Sequence, residues 1–294
     1  MPIVVCLNGP TTRDHTAAAI FSHFLKKVNS PIGAEGSSAG TTNASKYERP
    51  KNGNKYKLTI GQHVLPRESI ARFANEQQKK CVRVSIKSPP SLLWRHPKNK
   101  IFCAMRAWSE REESGFMKDI EIKFQTIAKA VITGTVSIIG DAENHAISNF
   151  FALWYMRARY RNLPEQELQA NEISGSDLAD DQEELLESRG VIFLNKDGKF
   201  LYRQLNGIVL QEKVGSYTNE LSSIKWGVIK AQEGEFVVPD VPNHTIIPLT
   251  PTICFAGNAP HGTIVKSNVA EINGALQSCS QNYFFARDLS KCPT

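Results

Sequence analysis

The sequence predicts an α+β fold: an N-terminal helical half followed by a mostly antiparallel β-rich half with a C-terminal helix. Three observations predict it. Long stretches with helical apolar spacing lie before residue 162. Short extended runs bounded by turn residues gather after residue 190. No internal repeat breaks that order. A chain of 294 residues can bury a sizeable core.

Taken in order, residues 3–7 are apolar and β-branched, a short strand. Thr11 and Thr12 are candidate N-caps for a helix striped by Ala17, Ile20, Phe21, Phe24, Leu25 and Val28. Residues 1–28 thus form a strand and a helix carrying His15 and His23. Residues 29–54 lose all apolar periodicity and read as a flexible basic loop with Lys46, Arg49 and Lys51. Its glycines lack the Gly-Lys-Ser/Thr ending of a phosphate loop. Residues 55–294 form one α+β domain.

Within that domain, 81–86 alternates as a strand that Pro89-Pro90 ends. Residues 110–132 make a long helix with Phe116, Ile120, Phe124, Ile127, Ala128 and Val131 on one face. Glu113 and Glu121, eight apart, share a side of it, and Glu121 is either a catalytic carboxylate or a salt-bridge partner. A second helix over 141–162 ends in Arg157, Arg159 and Arg161 with Tyr160 between them. Arginines interleaved with tyrosine suit phosphate and base contacts, and equally suit any helix C-terminus. Residues 164–189 are acidic and helical, with Ser176 as N-cap and Gly190 as the stop. Two hairpins follow, 191–202 about an Asn-Lys-Asp-Gly turn and 226–240 about Glu233-Gly234-Glu235. Extended pieces at 246–249 and 253–256, a helix at 267–281 and a closing strand at 283–286 complete the chain.

Composition excludes several classes. No apolar run reaches 18 residues, so no membrane span is expected. The N-terminus does not read as a secretion signal. Six scattered cysteines form no Cys-x-x-Cys pair, which suits reduced thiols in a cytoplasm. Charge is uneven: residues 1–161 hold 25 Lys/Arg against 12 Asp/Glu, and 162–294 hold 10 against 17. The basic half can attract nucleic acid or an acidic partner, or it can pair with the acidic half of its own chain.

The stretch with most chemical content is Gln62-His63-Val64-Leu65-Pro66, followed by Ile70, Phe73 and Ala74 at helical spacing. Pro66 fits a helix start. His63 therefore sits on extended chain entering a helix, where the positive dipole end favours neutral imidazole. It suits a general base or a phosphate-facing donor, or a histidine that ties the entry loop to the core.

This stretch resembles the opening signature of domain of unknown function family 4238, a bacterial group with His-x-x-Pro, an apolar residue and Phe-Ala. His63, Pro66, Ile70, Phe73 and Ala74 hold that register. Further features agree in order: Glu121, Arg157 or Arg159, Asp240-Val241-Pro242, Pro248-Leu249-Thr250-Pro251, Asn273, and Tyr283-Phe284-Phe285-Ala286. The resemblance covers roughly residues 60–290, and departs at Arg67-Glu68-Ser69, where the family is more aromatic. It implies a bacterial or prophage-encoded protein of anti-phage defence.

The residues suggest a matching pocket: His63, Glu121, Arg159 and Asp240 as catalytic groups, with Arg157, Arg161 and Asn273 binding substrate. A histidine and two carboxylates can carry general acid–base chemistry or hold a divalent metal, and an arginine can stabilise a phosphate. The expectation is a nuclease-like effector acting on nucleic acid or nucleotides. The alternative is a non-enzymatic protein that captures a phage component through its basic half and the 29–54 loop.

Overall fold

The computed structural model describes residues 49–294, apart from 52, 137, 163–166, 170–176, 192, 194 and 198. The expected strand and helix of 1–28, most of the 29–54 loop, and the Ser176 cap lie outside the described residues.

The helices are α1 (Arg67–Ala71), α2 (Glu110–Ser114), α3 (Phe116–Ile132), α4 (Asp141–Tyr160), α5 (Asp180–Ser188), α6 (Tyr202–Glu220) and α7 (Lys266–Cys279). Strands β1 (Gly61–His63), β2 (Val82–Lys87), β3 (Pro90–Arg95) and β4 (Cys103–Met105) precede α2. Strands β5 (Glu167–Gln169) and β6 (Lys199–Leu201) flank α5. The rest are β7 (Trp226–Ala231), β8 (Val238–Pro239), β9 (Ile246–Thr250), β10 (Ile253–Gly257), β11 (Gly262–Ile264) and β12 (Tyr283–Ala286).

Two four-stranded sheets carry the core, in orders β3-β2-β12-β8 and β11-β7-β10-β9. All their pairings are antiparallel except β11 with β7. The β11-β7-β10-β9 sheet is covered on both faces, so β9 and β10 read as nearly unbroken apolar runs, whereas β2 alternates between buried and partly exposed residues. In β10, Phe255 faces the helical layer of α3, α4 and α6, whereas Cys254 and Ala256 face α7. Phe124 of α3 stacks on Phe150 of α4 and meets Phe255 edge-on. In α7, Val269, Ile272 and Leu276 repeat at helical spacing and close the other face. No helix among the described residues is long and apolar enough to cross a membrane.

The mixed, largely antiparallel architecture is as the sequence suggests, but four strands lie before α2 and a 19-residue helix lies among the later strands. The 110–132 helix breaks at Gly115, whose φ and ψ of −106° and −102° leave the helical region. Pro89-Pro90 does follow the end of β2 at Lys87, and Pro90 also starts β3, an edge strand where the missing N–H is tolerated. Lys199–Leu201 pairs with Glu167–Gln169, and residues 192 and 194 of the expected hairpin lie outside the described residues. The 226–240 hairpin does not form: Trp226–Ala231 pairs with β10 and β11, and Val238–Pro239 with β12. The closing strand, 283–286, sits between β2 and β8.

Helix α6 has no counterpart among the elements expected from the sequence. It hides a stripe of Leu210, Val214 and Tyr217 behind a polar first turn in which Arg203, Gln204 and Asn206 are buried. Arg203 joins Arg106 on one carboxylate, Glu187 of α5. Arg106 Nη2 donates to both Glu187 oxygens at 2.8 and 2.7 Å, and Arg203 adds bonds of 3.1 and 3.0 Å. Burial pushes the Glu187 carboxyl up, but the hydrogen bonds and charges of Arg203 and Arg106 outweigh it and hold the group below its ordinary value.

A carboxyl depressed in the folded state stabilises the protein above its unfolded value, and that contribution is lost as pH falls through the folded value. Glu187→Gln should therefore cost about 3–5 kcal/mol at neutral pH. The gap to wild type should close in acid, below the ordinary carboxylate range. Urea unfolding across a pH series measures both.

Candidate functional site

The site is built over one buried cation. On α4, Arg157 follows Leu153 and Trp154 at helical spacing, so its side chain enters the core and is 1% exposed. A guanidinium does not lose its proton, so burial requires full pairing. Nη1 donates to Glu121 Oε1 at 2.5 Å and to the His63 carbonyl at 3.1 Å. Nη2 donates to Glu113 Oε2 at 3.2 Å, and Nε lies 3.4 Å from Met117 Sδ. The guanidinium also lies over the Trp108 ring, whose Nε1 donates to Glu113 at 2.6 Å. One arginine thus ties β1, α2, α3 and α4 together.

His63 ends β1, paired through Cys103 of β4. Pro66 occupies the N-cap of α1 with φ −52° and ψ 138°. Behind it Ile70 and Phe73 enter the core, and Phe73 meets Phe285 of β12 edge-on. Because α1 has five residues, its dipole is short, and the His63 ring is set by a specific bond instead. Nε2 lies 3.1 Å from the Pro97 carbonyl oxygen. A carbonyl only accepts, so Nε2 carries a proton, and in the neutral ring Nδ1 holds the lone pair. Nδ1 has no hydrogen-bond partner among the described residues.

A cleft of about 460 Å³ opens here. His63, Pro66, Arg67 and Glu68 form one wall, and Glu113, Lys118, Glu121, Gln125 and Lys129 the other. Lys118 Nζ approaches Glu121 Oε2 at 3.8 Å. Arg72 backs the rim, hydrogen-bonded to Gln125 and paired with Glu68 at 3.2 Å, and burial lowers its pKa.

The structure brings His63 and Glu121 to this cleft and places Arg157 beneath it, and it separates the other expected members. Arg159 is exposed, two residues and so about 200° from Arg157, and its Nη1 donates to Tyr155 at 2.6 Å. Arg161 is half-buried, donating to the Ile101 and Cys103 carbonyls and lying over Tyr283. Asp240 does not line the cleft. It is 2% exposed and accepts from the Gln281 and Asn282 backbone N–H groups and from Asn282 Nδ2, fixing the turn from α7 into β12. Asn273 is also internal. It accepts from Val237 N–H and donates to the Glu235 and Pro293 carbonyls, anchoring the C-terminus. Among the described residues no three His, Cys, Asp or Glu side chains are grouped as a metal site.

Arg67, Lys118 and Lys129 do not stand out in the sequence. Lys118 and Lys129 are eleven apart on α3, three helical turns, and that spacing is the available signal. The contact surface expected around the 29–54 loop is partly occupied. Lys51 Nζ pairs with Asp180 at 2.5 Å and Lys55 Nζ with Asp181 at 3.2 Å, both on acidic α5.

Asp240→Ala strips three donors of their acceptor and should cost about 2–4 kcal/mol, by the penalty for unsatisfied buried groups. Thermal melts should show that loss, and a variant kept folded at low temperature should retain whatever activity the His63 cleft supports. No family model, curated protein or solved structure matches the chain.

Proposed function

We propose that the His63 cleft is the functional site of a phosphate-directed enzyme: a nuclease-like effector of anti-phage defence acting on nucleic acid or nucleotides in the bacterial cytoplasm. One observation carries the chemical part. The Pro97 carbonyl selects the Nε2–H tautomer of His63, leaving a basic nitrogen without a hydrogen-bond partner among the described residues, on a ring that lines a polar cleft.

In this reading Nδ1 accepts the proton of the attacking hydroxyl or water as its oxygen bonds to phosphorus; the P–O bond to the leaving oxygen breaks, and that oxygen takes its proton from solvent water. The Pro97 carbonyl stabilises the imidazolium that results, because Nε2–H then donates to it more strongly. Arg67, Lys118 and Lys129 supply positive charge for the phosphate oxygens. Glu113 and Glu121 have oxygens committed to Arg157, so their part is to hold the floor of the cleft and the His63 backbone in place. The defence role and the bacterial setting rest on the resemblance to family 4238 carried by His63, Pro66, Ile70, Phe73 and Ala74.

The test is a phage-plating assay in a bacterial host expressing wild type, His63→Ala or His63→Gln, with protein level and melting temperature measured alongside. The purified proteins are assayed on RNA, DNA and nucleoside triphosphates. Wild type should protect, and both folded variants should lose protection. Turnover should fall by about 100-fold or more, as for loss of a general base. Folded His63→Ala that protects as wild type does would overturn the catalytic reading. Failure of wild type against a broad phage panel would overturn the defence role.

A further inference from the structure

From Gln77 to Ser109 the chain holds eight Lys or Arg and no Asp or Glu. Most of this stretch is the β2–β3 hairpin and the turn that follows it. Its register pairs Val82 with Arg95 and Lys87 with Pro90. Lys79, Lys80, Arg83, Arg95, Lys98 and Lys100 therefore gather at the open end of the hairpin. None of these six forms an ion pair among the described residues. Five lysines elsewhere, Lys51, Lys55, Lys118, Lys225 and Lys266, do have a carboxylate within 4.0 Å.

The outer face of the hairpin, running inward from that end, carries two apolar side chains, Trp94 and Leu92. Successive residues of β2 alternate between the core and the outside, and Arg83, Ser85, Leu92 and Trp94 share the outer face. Leu92 is 54% exposed, and the Arg83 guanidinium lies 5.1 Å from the Trp94 ring centre. The adjoining turn is pinned: Lys98 N–H donates to His96 Nδ1, Asn99 N–H to the His96 carbonyl, and Ile101 N–H to Asn99 Oδ1. This turn supplies the Pro97 carbonyl that orients His63.

We infer that the open end of the β2–β3 hairpin, with its 96–100 turn, binds single-stranded nucleic acid and leads it to the His63 cleft. The lysines and Arg95 match a phosphate backbone. Trp94 under Arg83 with Leu92 beside it is a stacking platform, and only unpaired bases expose the faces that stack there. A duplex would use the charges and not the platform. The inference narrows the substrate class of the proposed function and rests on that reading for the path into the cleft; the binding surface itself is tested without any turnover.

Fluorescence anisotropy with labelled oligo(U), oligo(dT) and a duplex of about 20 nucleotides, across a salt series, reads the binding directly. Full-length wild type should bind a single strand more tightly than the duplex, and the preferred sugar identifies RNA or DNA. Lys79→Ala, Lys80→Ala, Lys98→Ala and Lys100→Ala together should weaken binding by about tenfold or more and flatten the salt slope by about 0.7 for each phosphate left without its lysine. Trp94→Ala should weaken single-strand binding by about tenfold and leave duplex binding unchanged. The inference is overturned if wild type binds none of the probes, or if the folded fourfold variant binds as wild type does. It is also overturned if duplex and single strand bind equally and Trp94→Ala changes neither. If the hairpin variants lose binding while His63→Ala keeps protection and turnover, the surface stands and the catalytic role of His63 falls.

Discussion

Arg157 is the constraint on which the candidate site depends. A permanently charged group lies in the core, and every neighbour around it answers that charge. Glu113 comes from the helix before the Gly115 break and Glu121 from the helix after it, so the break lets both carboxylates reach one guanidinium. The third partner is the backbone of His63. The ion pair therefore fixes the position of a histidine that it does not touch through its side chain. Removing either carboxylate would leave the buried guanidinium with one ionic partner and an unfilled donor, and removing Arg157 would leave two partly buried acids facing one another.

The charge asymmetry of the chain resolves into two uses. Part of the basic half is matched internally: Lys51, Lys55 and Arg106 meet Asp180, Asp181 and Glu187 on the acidic helix α5. The stretch from Lys79 to Lys100 meets no such partner among the described residues. Sequence composition gives the excess of 25 over 12 but cannot divide it, because pairing across more than a hundred residues is a property of the fold.

Elements with strong local periodicity were legible in the sequence. The stripes of α3, α4 and α7, the β9 and β10 strands, and the entry from His63 through Pro66 into a short helix all follow from spacing alone. Pairing was not legible where it is non-local: the turn chemistry at Gly234 suggests a hairpin, yet the strands on either side belong to different sheets. Helix α6 was hidden because Arg203, Gln204 and Asn206 are buried by tertiary partners and blur its apolar face. For the site, His63 and Glu121 stood out by residue type and position. Choosing between Arg157 and Arg159 required the helical phase, and Leu153 and Trp154 already put Arg157 on the buried side. Asp240 and Asn273 share the chemistry of catalytic groups but spend every bond on backbone and on Asn282, a distinction that only their partners reveal.

The most direct test of the central claim is NMR of protein labelled with nitrogen-15 at histidine, reading the His63 ring alone and with a mononucleotide added. The account predicts the Nε2–H tautomer in the free protein, a change in the Nδ1 resonance as the ligand is titrated in, and loss of that response in Arg157→Met. A ring protonated at Nδ1 in its neutral form, or a His63 signal unmoved by any phosphate ligand, would contradict it.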